Sequence, residues 1–402
     1  MINGIKVADM DTHVDPNLTV LEKYVEPGFR HRLPELEPYK LVRRNIRRGP
    51  GEETVPAVGL SVGALPFNRW PGTKLEADHQ APGAPGRGGA RPGTVSMHRG
   101  PVTPGVEDEN SEGRLIDMDT EGRDLDFIFP GMWASSLTGL YDQDVTLAEG
   151  MYRAYHHYMD TYTSVAPDRL KSSLQVPGAD PEWAIAEIKK WANSKWVAAV
   201  WIHLPPGLPV DDPDLDPVFA TMNDLDLPLV HHSFFMEPPY FPGHQDIWGN
   251  SVVARTAAHP WGAARLCAYL MLSGLFDKYP NLRAGVSEVG HGWLPNWVIR
   301  LGFNKSYAQG LTPKLKYTPL EYVQMGRFRC AAEPFEGPLM TEACVKILGE
   351  DCLMHQSDYP HGQSFFPETA REVMEWDFWG NFSPEALQKH MYGNAVSFLR
   401  MA

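Results

Sequence analysis

The chain has 402 residues, with 50 acidic against 36 basic side chains, a formal net charge of −14 and a pI near 5.5. Such a charge repels a phosphate backbone, and apart from "RRNIRR" (Arg43–Arg48) no basic run offers a nucleic-acid footprint. Four cysteines without CxxC spacing indicate buried thiols, the start "MINGIKVADM" has neither the basic nor the apolar region of a signal peptide, and no apolar run reaches the ~18 residues of a membrane span, so a cytoplasmic protein is expected, without nucleic-acid or membrane partners.

Eight segments of strand character follow one another: 5–13 ("IKVADMDTH"), 124–130 ("DLDFIFP"), 170–176 ("LKSSLQV"), 196–203 ("WVAAVWIH"), 226–232 (with "LPLVHH"), 282–288 ("LRAGVSE"), 326–331 ("GRFRCA") and 352–358 ("CLMHQSD"). Helix-like stretches separate most of them. Two, Asp180–Asn193 and Asp212–Leu225, open with Asp-Pro, a cap followed by a residue suited to the first helical turn. Alternating strand and helix argues for a parallel sheet, and eight units suit closure into an α/β (β/α)8 TIM barrel, with an open doubly wound sheet as the rival. The alternation fails at residues 48–110, a Pro/Gly-rich insertion after strand 1 with no sustained period. It is expected to serve as a cap at the mouth or as a subunit contact within one domain spanning 1–402.

Period two along the first strand puts Ile5, Val7, Asp9, Asp11 and His13 on one face, apolar below and ionisable at the C-terminal end, where the active sites of such barrels open. The same gradient leads through Val230 to His232, through Leu282, Ala284 and Val286 to Glu288, and through Cys352, Met354 and Gln356 to Asp358. Taken singly, a strand-end Asp caps a turn and a rim His makes an ordinary hydrogen bond. Together they place carboxylates and imidazoles around one point, and a divalent cation is the simplest compensation for so much buried charge. Mixed N and O donors suit Zn, Mn or Fe rather than Mg or Ca.

The stretches "VADMDTHVDP", "HPWGAARLCAYLMLSGLFDKYPNLR", "SEVGHGWLPNWVIR" and "HQSDYPH" together resemble the amidohydrolase superfamily, in particular its amidohydrolase-2 group, which includes aminocarboxymuconate-semialdehyde and γ-resorcylate decarboxylases. The resemblance implies metal ligation by Asp11 and His13 on strand 1, His232 on strand 5, with His231 as its rival, and Asp358 on strand 8. It implies hydrolysis or non-oxidative decarboxylation of a small carboxylated substrate. Proton work falls to Asp358, Glu288 or His291, with Glu288 and His259 as further metal ligands. His259, His291 and His361 are the imidazoles at hand, each equally suited to a cap or a surface loop. This surplus of donors motivates an alternative, a dinuclear Mn/Fe oxygenase resembling 2-aminoisobutyric acid hydroxylase, which pairs two related subunits. A homo- or hetero-oligomer is therefore expected, and a non-catalytic partner subunit with a vestigial site is the third reading.

Overall fold

The structure is a computed structural model and describes residues 1–47, 54–60, 62, 95–204, 208–234 and 251–401. Strands run β1 (Ala8–His13), β2 (Lys40–Arg47), β3 (Thr54–Leu60), β4 (Leu125–Phe129), β5 (Leu170–Pro177), β6 (Val197–His203), β7 (Leu229–His232), β8 (Ala284–Ser287), β9 (Phe328–Ala332) and β10 (Leu353–His355). Apart from β2 and β3, they form one eight-stranded sheet in chain order, each neighbour parallel. β10 returns to β1 through a bridge between Thr12 and Tyr359, so the sheet is a nearly closed (β/α)8 barrel and not an open doubly wound one.

Helices cover the outside. Asp180 caps Pro181–Trp191 by accepting from Trp183 N at 3.0 Å, and Pro213–Leu215 passes directly into Asp216–Asp224. Between barrel and helices lies the larger core, to which Ile128, Leu174, Val200, Ala284, Val286 and Cys330 contribute. A second cluster fills the lumen with Ala8, Met10, Phe127, Phe129, Trp201, Val230, Ala331 and Met354, and the helix Asn394–Leu399 plugs it with Ala395, Phe398 and Leu399. A Cβ on Gly285 would stand 2.8 Å from Phe398 Cζ, so glycine is what lets this plug approach β8. All four cysteines are free and buried, and among the described residues no helix is long and apolar enough to cross a membrane.

Part of the segment expected to lack regular structure does form a strand: β3 pairs antiparallel with β2. Of the 48–110 insertion, residues 48–53, 61 and 63–94 lie outside the described residues. Its last part packs at the barrel mouth, where Met97 N donates to Gly362 O at 2.6 Å and Arg99 N to Phe366 O at 2.8 Å.

The period-two reading of β1 needs correction. Ala8 pairs with Leu125 and Asp9 with Asp126, but Thr12 pairs with Ile128, so Met10 and Asp11 together oppose Phe127. This β-bulge reverses the parity. Below it Ala8 and Met10 face the lumen, whereas Val7 packs outward with Ala370 and Val373. Asp9 turns away to accept from Ser357 N at 2.9 Å. Above the bulge Asp11 and His13 reach the rim.

Parity also fails on β8, where Leu282, Ala284 and Val286 belong to the outer core. Glu288 comes inward through a left-handed backbone, φ +52°. In the β10 segment Met354 faces the lumen but Cys352 the outer core, and Asp358 likewise turns at φ +62°. Left-handed conformations cost a non-glycine residue about 1–3 kcal/mol, and their concentration at the rim is what a functional site imposes. Only on β7 does simple alternation carry Val230 in the lumen to His232 at the rim.

Candidate metal centre

Among the described residues, one donor atom each from Asp11, His13, His232 and Asp358 lies within 4.8 Å of the others, all four residues buried. His13 Nε2 stands 3.1 Å from Asp11 Oδ1 and 3.0 Å from Asp358 Oδ1, while His232 Nε2 stands 3.2 Å from Asp11 Oδ1. Yet Asp11 Oδ1 and Oδ2, His13 Nε2, His232 Nε2 and Asp358 Oδ2 have no well-formed hydrogen bond. Buried polar atoms are rarely left so, and five on one point mark a place where a cation would satisfy them together. Two nitrogens and two carboxylates are the donor set of Zn, Mn or Fe, so the residues present fit such an ion.

A second group overlaps the first: His13, Glu288, Asp358 and His361. Glu288 Oε2 lies 3.1 Å from His232 Nε2, and its backbone N–H donates to Gln356 Oε1 at 3.3 Å. His361 bonds Asp358 Oδ1 through Nδ1 at 2.7 Å and stacks on His13 with ring centroids 4.1 Å apart. Phe129 gives the site an apolar wall, 4.7 Å from the His232 ring.

The charges answer one another. Burial alone would depress His232, but Asp11 and Glu288 outweigh it and hold the imidazole well above its usual range. For His361 burial likewise opposes Asp358 and loses, and the imidazole is pushed up to about 9. Burial would raise Asp358, but His361 beside it holds the carboxyl below its usual value.

The structure brings together five of the expected residues, Asp11, His13, His232, Glu288 and Asp358, and leaves two outside. His259 braces the turn after His232: its Nδ1 accepts from Phe234 N at 3.1 Å and lies 3.1 Å from Ser233 Oγ. His291 belongs to a different network, with Nε2 3.0 Å from Thr341 Oγ1, Nδ1 3.0 Å from Glu336 Oε2 and its own N–H donating to that oxygen at 2.8 Å. Burial pushes this imidazole down to about 4 despite Glu336. His231, the rival of His232, stacks on Phe234 with centroids 4.0 Å apart.

One residue at the site, Glu333, was not singled out from the sequence, and His361 stood there only as one of the surplus donors behind the dinuclear alternative. Glu333 follows β9, in phase with lumen-facing Ala331, and is buried; burial together with Glu288 and Asp358 holds its carboxyl well above the usual range. The same gradient of apolar strand into acidic end, read in "FRCAAE", would have found it. Phe365 lines a cleft with Glu333, Gln356 and Asp358.

Comparison with known proteins agrees with this architecture. The chain is 25% identical over 264 residues to the γ-resorcylate decarboxylase of Polaromonas sp. (strain JS666 / ATCC BAA-500), covering 59% of this chain and 76% of that one. Its fold matches an amidohydrolase from Mycobacterium avium subsp. paratuberculosis K-10 with a TM-score of 0.67 at 18% identity over 98% of both chains. It also matches the 5-carboxyvanillate decarboxylase of Novosphingobium aromaticivorans DSM 12444, complexed with manganese and 4-hydroxy-3-methoxy-5-nitrobenzoic acid, with a TM-score of 0.58 at 21% identity over 71% of this chain and 79% of that one. The amidohydrolase (Amidohydro_2) family model matches residues 67–401, a span that begins after β1, and on that match the chain belongs to the amidohydrolase family.

Proposed function

We propose that this chain is a metal-dependent carbon–carbon lyase that removes the carboxyl group of a small aromatic acid without oxidation. The observation that carries this reading is the convergence of Asp11, His13, His232 and Asp358, with buried donor atoms left without a well-formed hydrogen bond. The similarity to γ-resorcylate decarboxylase supports decarboxylation over hydrolysis. Manganese in the 5-carboxyvanillate decarboxylase structure supports a divalent transition metal.

When bound, such an ion polarises a substrate oxygen and anchors the acid beside the proton donor. His361, pushed up to about 9, keeps its Nδ1–H on Asp358 Oδ1 and can pass the proton on its other ring nitrogen, Nε2, to the ring carbon that loses the carboxylate. The carbon–carbon electron pair stays on the ring, the donated proton replaces the carboxyl group, and CO2 leaves. Glu288, with Oε2 3.1 Å from His232 Nε2, adds a further carboxylate at the edge of the site.

The second donor group, His13, Glu288, Asp358 and His361, favours one variation: a second ion, which Glu288 and His361 would help to hold beside the first. The test is anaerobic incubation of manganese-loaded protein with γ-resorcylate and 5-carboxyvanillate, following CO2 and the decarboxylated phenol. One CO2 per phenol without O2 is expected. Turnover that requires O2 and a reductant would overturn the lyase assignment.

A further inference from the structure

Asp11, His13 and Asp358 all leave the barrel at the β1–β10 seam, where the ladder is thin. One bridge joins the strands there, with His13 N donating to Tyr359 O at 2.7 Å and Asp358 N to Asp11 O at 2.9 Å. A buried polar brace lies directly beneath. Asp9 accepts from Ser357 through both carboxylate oxygens, from the backbone N–H at 2.9 Å and from the hydroxyl at 2.5 Å. The Ser357 hydroxyl oxygen in turn accepts from Tyr359 N at 3.1 Å. The Tyr359 phenol donates to Asp117 Oδ2 at 2.5 Å, and its ring lies 4.2 Å from the Arg123 guanidinium and 5.2 Å from that of Arg114. Arg123 also bonds Asp126 at 2.8 Å, and Arg114 bonds Asp126 at 3.0 Å and donates to the backbone carbonyl of His13.

We propose that Ser357, latched to Asp9 and backed by Tyr359, is a positioning residue that sets the metal affinity of the centre by fixing the spacing of Asp11 and His13 from Asp358. This rests on the metal assignment above. The brace is a chain of direct contacts: Asp9 lies two residues before Asp11, and Ser357 one before Asp358. A latch between those two neighbours fixes both strand ends at once, across a seam the sheet itself barely pairs. Buried charge is costly to assemble, so its concentration under a thinly paired seam calls for a role that an apolar filler would not fill. Groups that orient metal ligands commonly change affinity by about 10- to 100-fold when removed.

The experiment compares wild type, Ser357→Ala, Tyr359→Phe and the control Ser172→Ala, whose hydroxyl is equally buried but bonds Ile128 O at 2.6 Å on the far side of β4 from the seam. Two quantities are read: the melting temperature of each metal-free protein, and its Mn2+ dissociation constant well below that temperature, where loss of global stability does not register. Ser357→Ala is expected to weaken Mn2+ binding by about 10- to 100-fold and Tyr359→Phe by several fold, with a broadened signal of the bound Mn2+ in electron paramagnetic resonance. Ser172→Ala is expected to lower the melting temperature and leave the dissociation constant within about twofold, because its lost hydrogen bond is structural. A folded Ser357→Ala that binds Mn2+ like wild type, or a control that weakens it equally, overturns the brace. Should Ser357→Ala not fold, unchanged affinity in Tyr359→Phe does the same. Wild-type protein that takes up no Mn2+ overturns the metal assignment instead.

Discussion

Loading the metal centre is predicted to expel the proton that His232 holds in the metal-free protein. In the metal-free protein His232 faces Asp11 at 3.2 Å and Glu288 at 3.1 Å, and these carboxylates overcome burial to keep it protonated above its ordinary range. An imidazole must be neutral to donate a lone pair to a metal. One ion held by Asp11, His13, His232 and Asp358 therefore displaces the His232 proton, and apparent affinity rises about tenfold per pH unit, or about 1.4 kcal/mol. In the metal-free protein His361 is pushed up to about 9 by Asp358 against burial. A second ion that recruits His361 releases a second proton, and the slope doubles between neutral pH and about 9. Calorimetric Mn2+ titrations at about pH 7, in buffers of different ionisation enthalpy, count the protons directly. At least one is expected, from His232. Uptake that releases none would refute the reasoning, because it would mean that the facing carboxylates do not hold His232 as an imidazolium.

Other outcomes are equally specific. His232→Ala and Asp11→Ala should abolish stoichiometric metal retention and turnover together, measured by elemental analysis after gel filtration; retention of a full equivalent would contradict the ligand set. Chelation should destabilise the protein: an ion at about 100 times its dissociation constant adds about 2.7 kcal/mol. With about 2.1 cal/mol/K of unfolding entropy per residue, 402 residues convert that to a fall of about 3 K in Tm, visible by scanning calorimetry. Gly285→Ala, whose Cβ would meet Phe398 Cζ at 2.8 Å, should cost about 1–3 kcal/mol by overpacking the plug without changing metal affinity. His291→Asn should lower stability by about 1–3 kcal/mol through its lost buried hydrogen bonds while metal binding persists; metal loss from a folded variant would return His291 to the site.

All eight barrel strands were legible in the sequence because composition and spacing report burial on both faces, and the ligand-bearing strand ends were legible because ionisable residues closing apolar runs are rare. Side-chain direction was not. The bulge opposite Phe127 and the left-handed turns at Glu288 and Asp358 are local backbone choices stabilised by tertiary contacts, and period-two alternation has no term for them. Asp9, read as part of the ionisable face, instead closes the seam from behind. His291 and His259 show the converse difficulty. A histidine near a rim satisfies its nitrogens with whatever lies closest, and Glu336, Thr341 and Ser233 become neighbours only in the fold. The β2–β3 pairing escaped notice because its strands follow no apolar period and border a Pro/Gly-rich segment.

The most direct measurement is an anomalous difference map from crystals of protein loaded with Mn2+, collected on both sides of the manganese edge. A manganese peak is expected between Asp11, His13, His232 and Asp358, within bonding distance of a donor atom of each. A map with no peak at that point, in protein whose four side chains have found other hydrogen-bond partners, would contradict it.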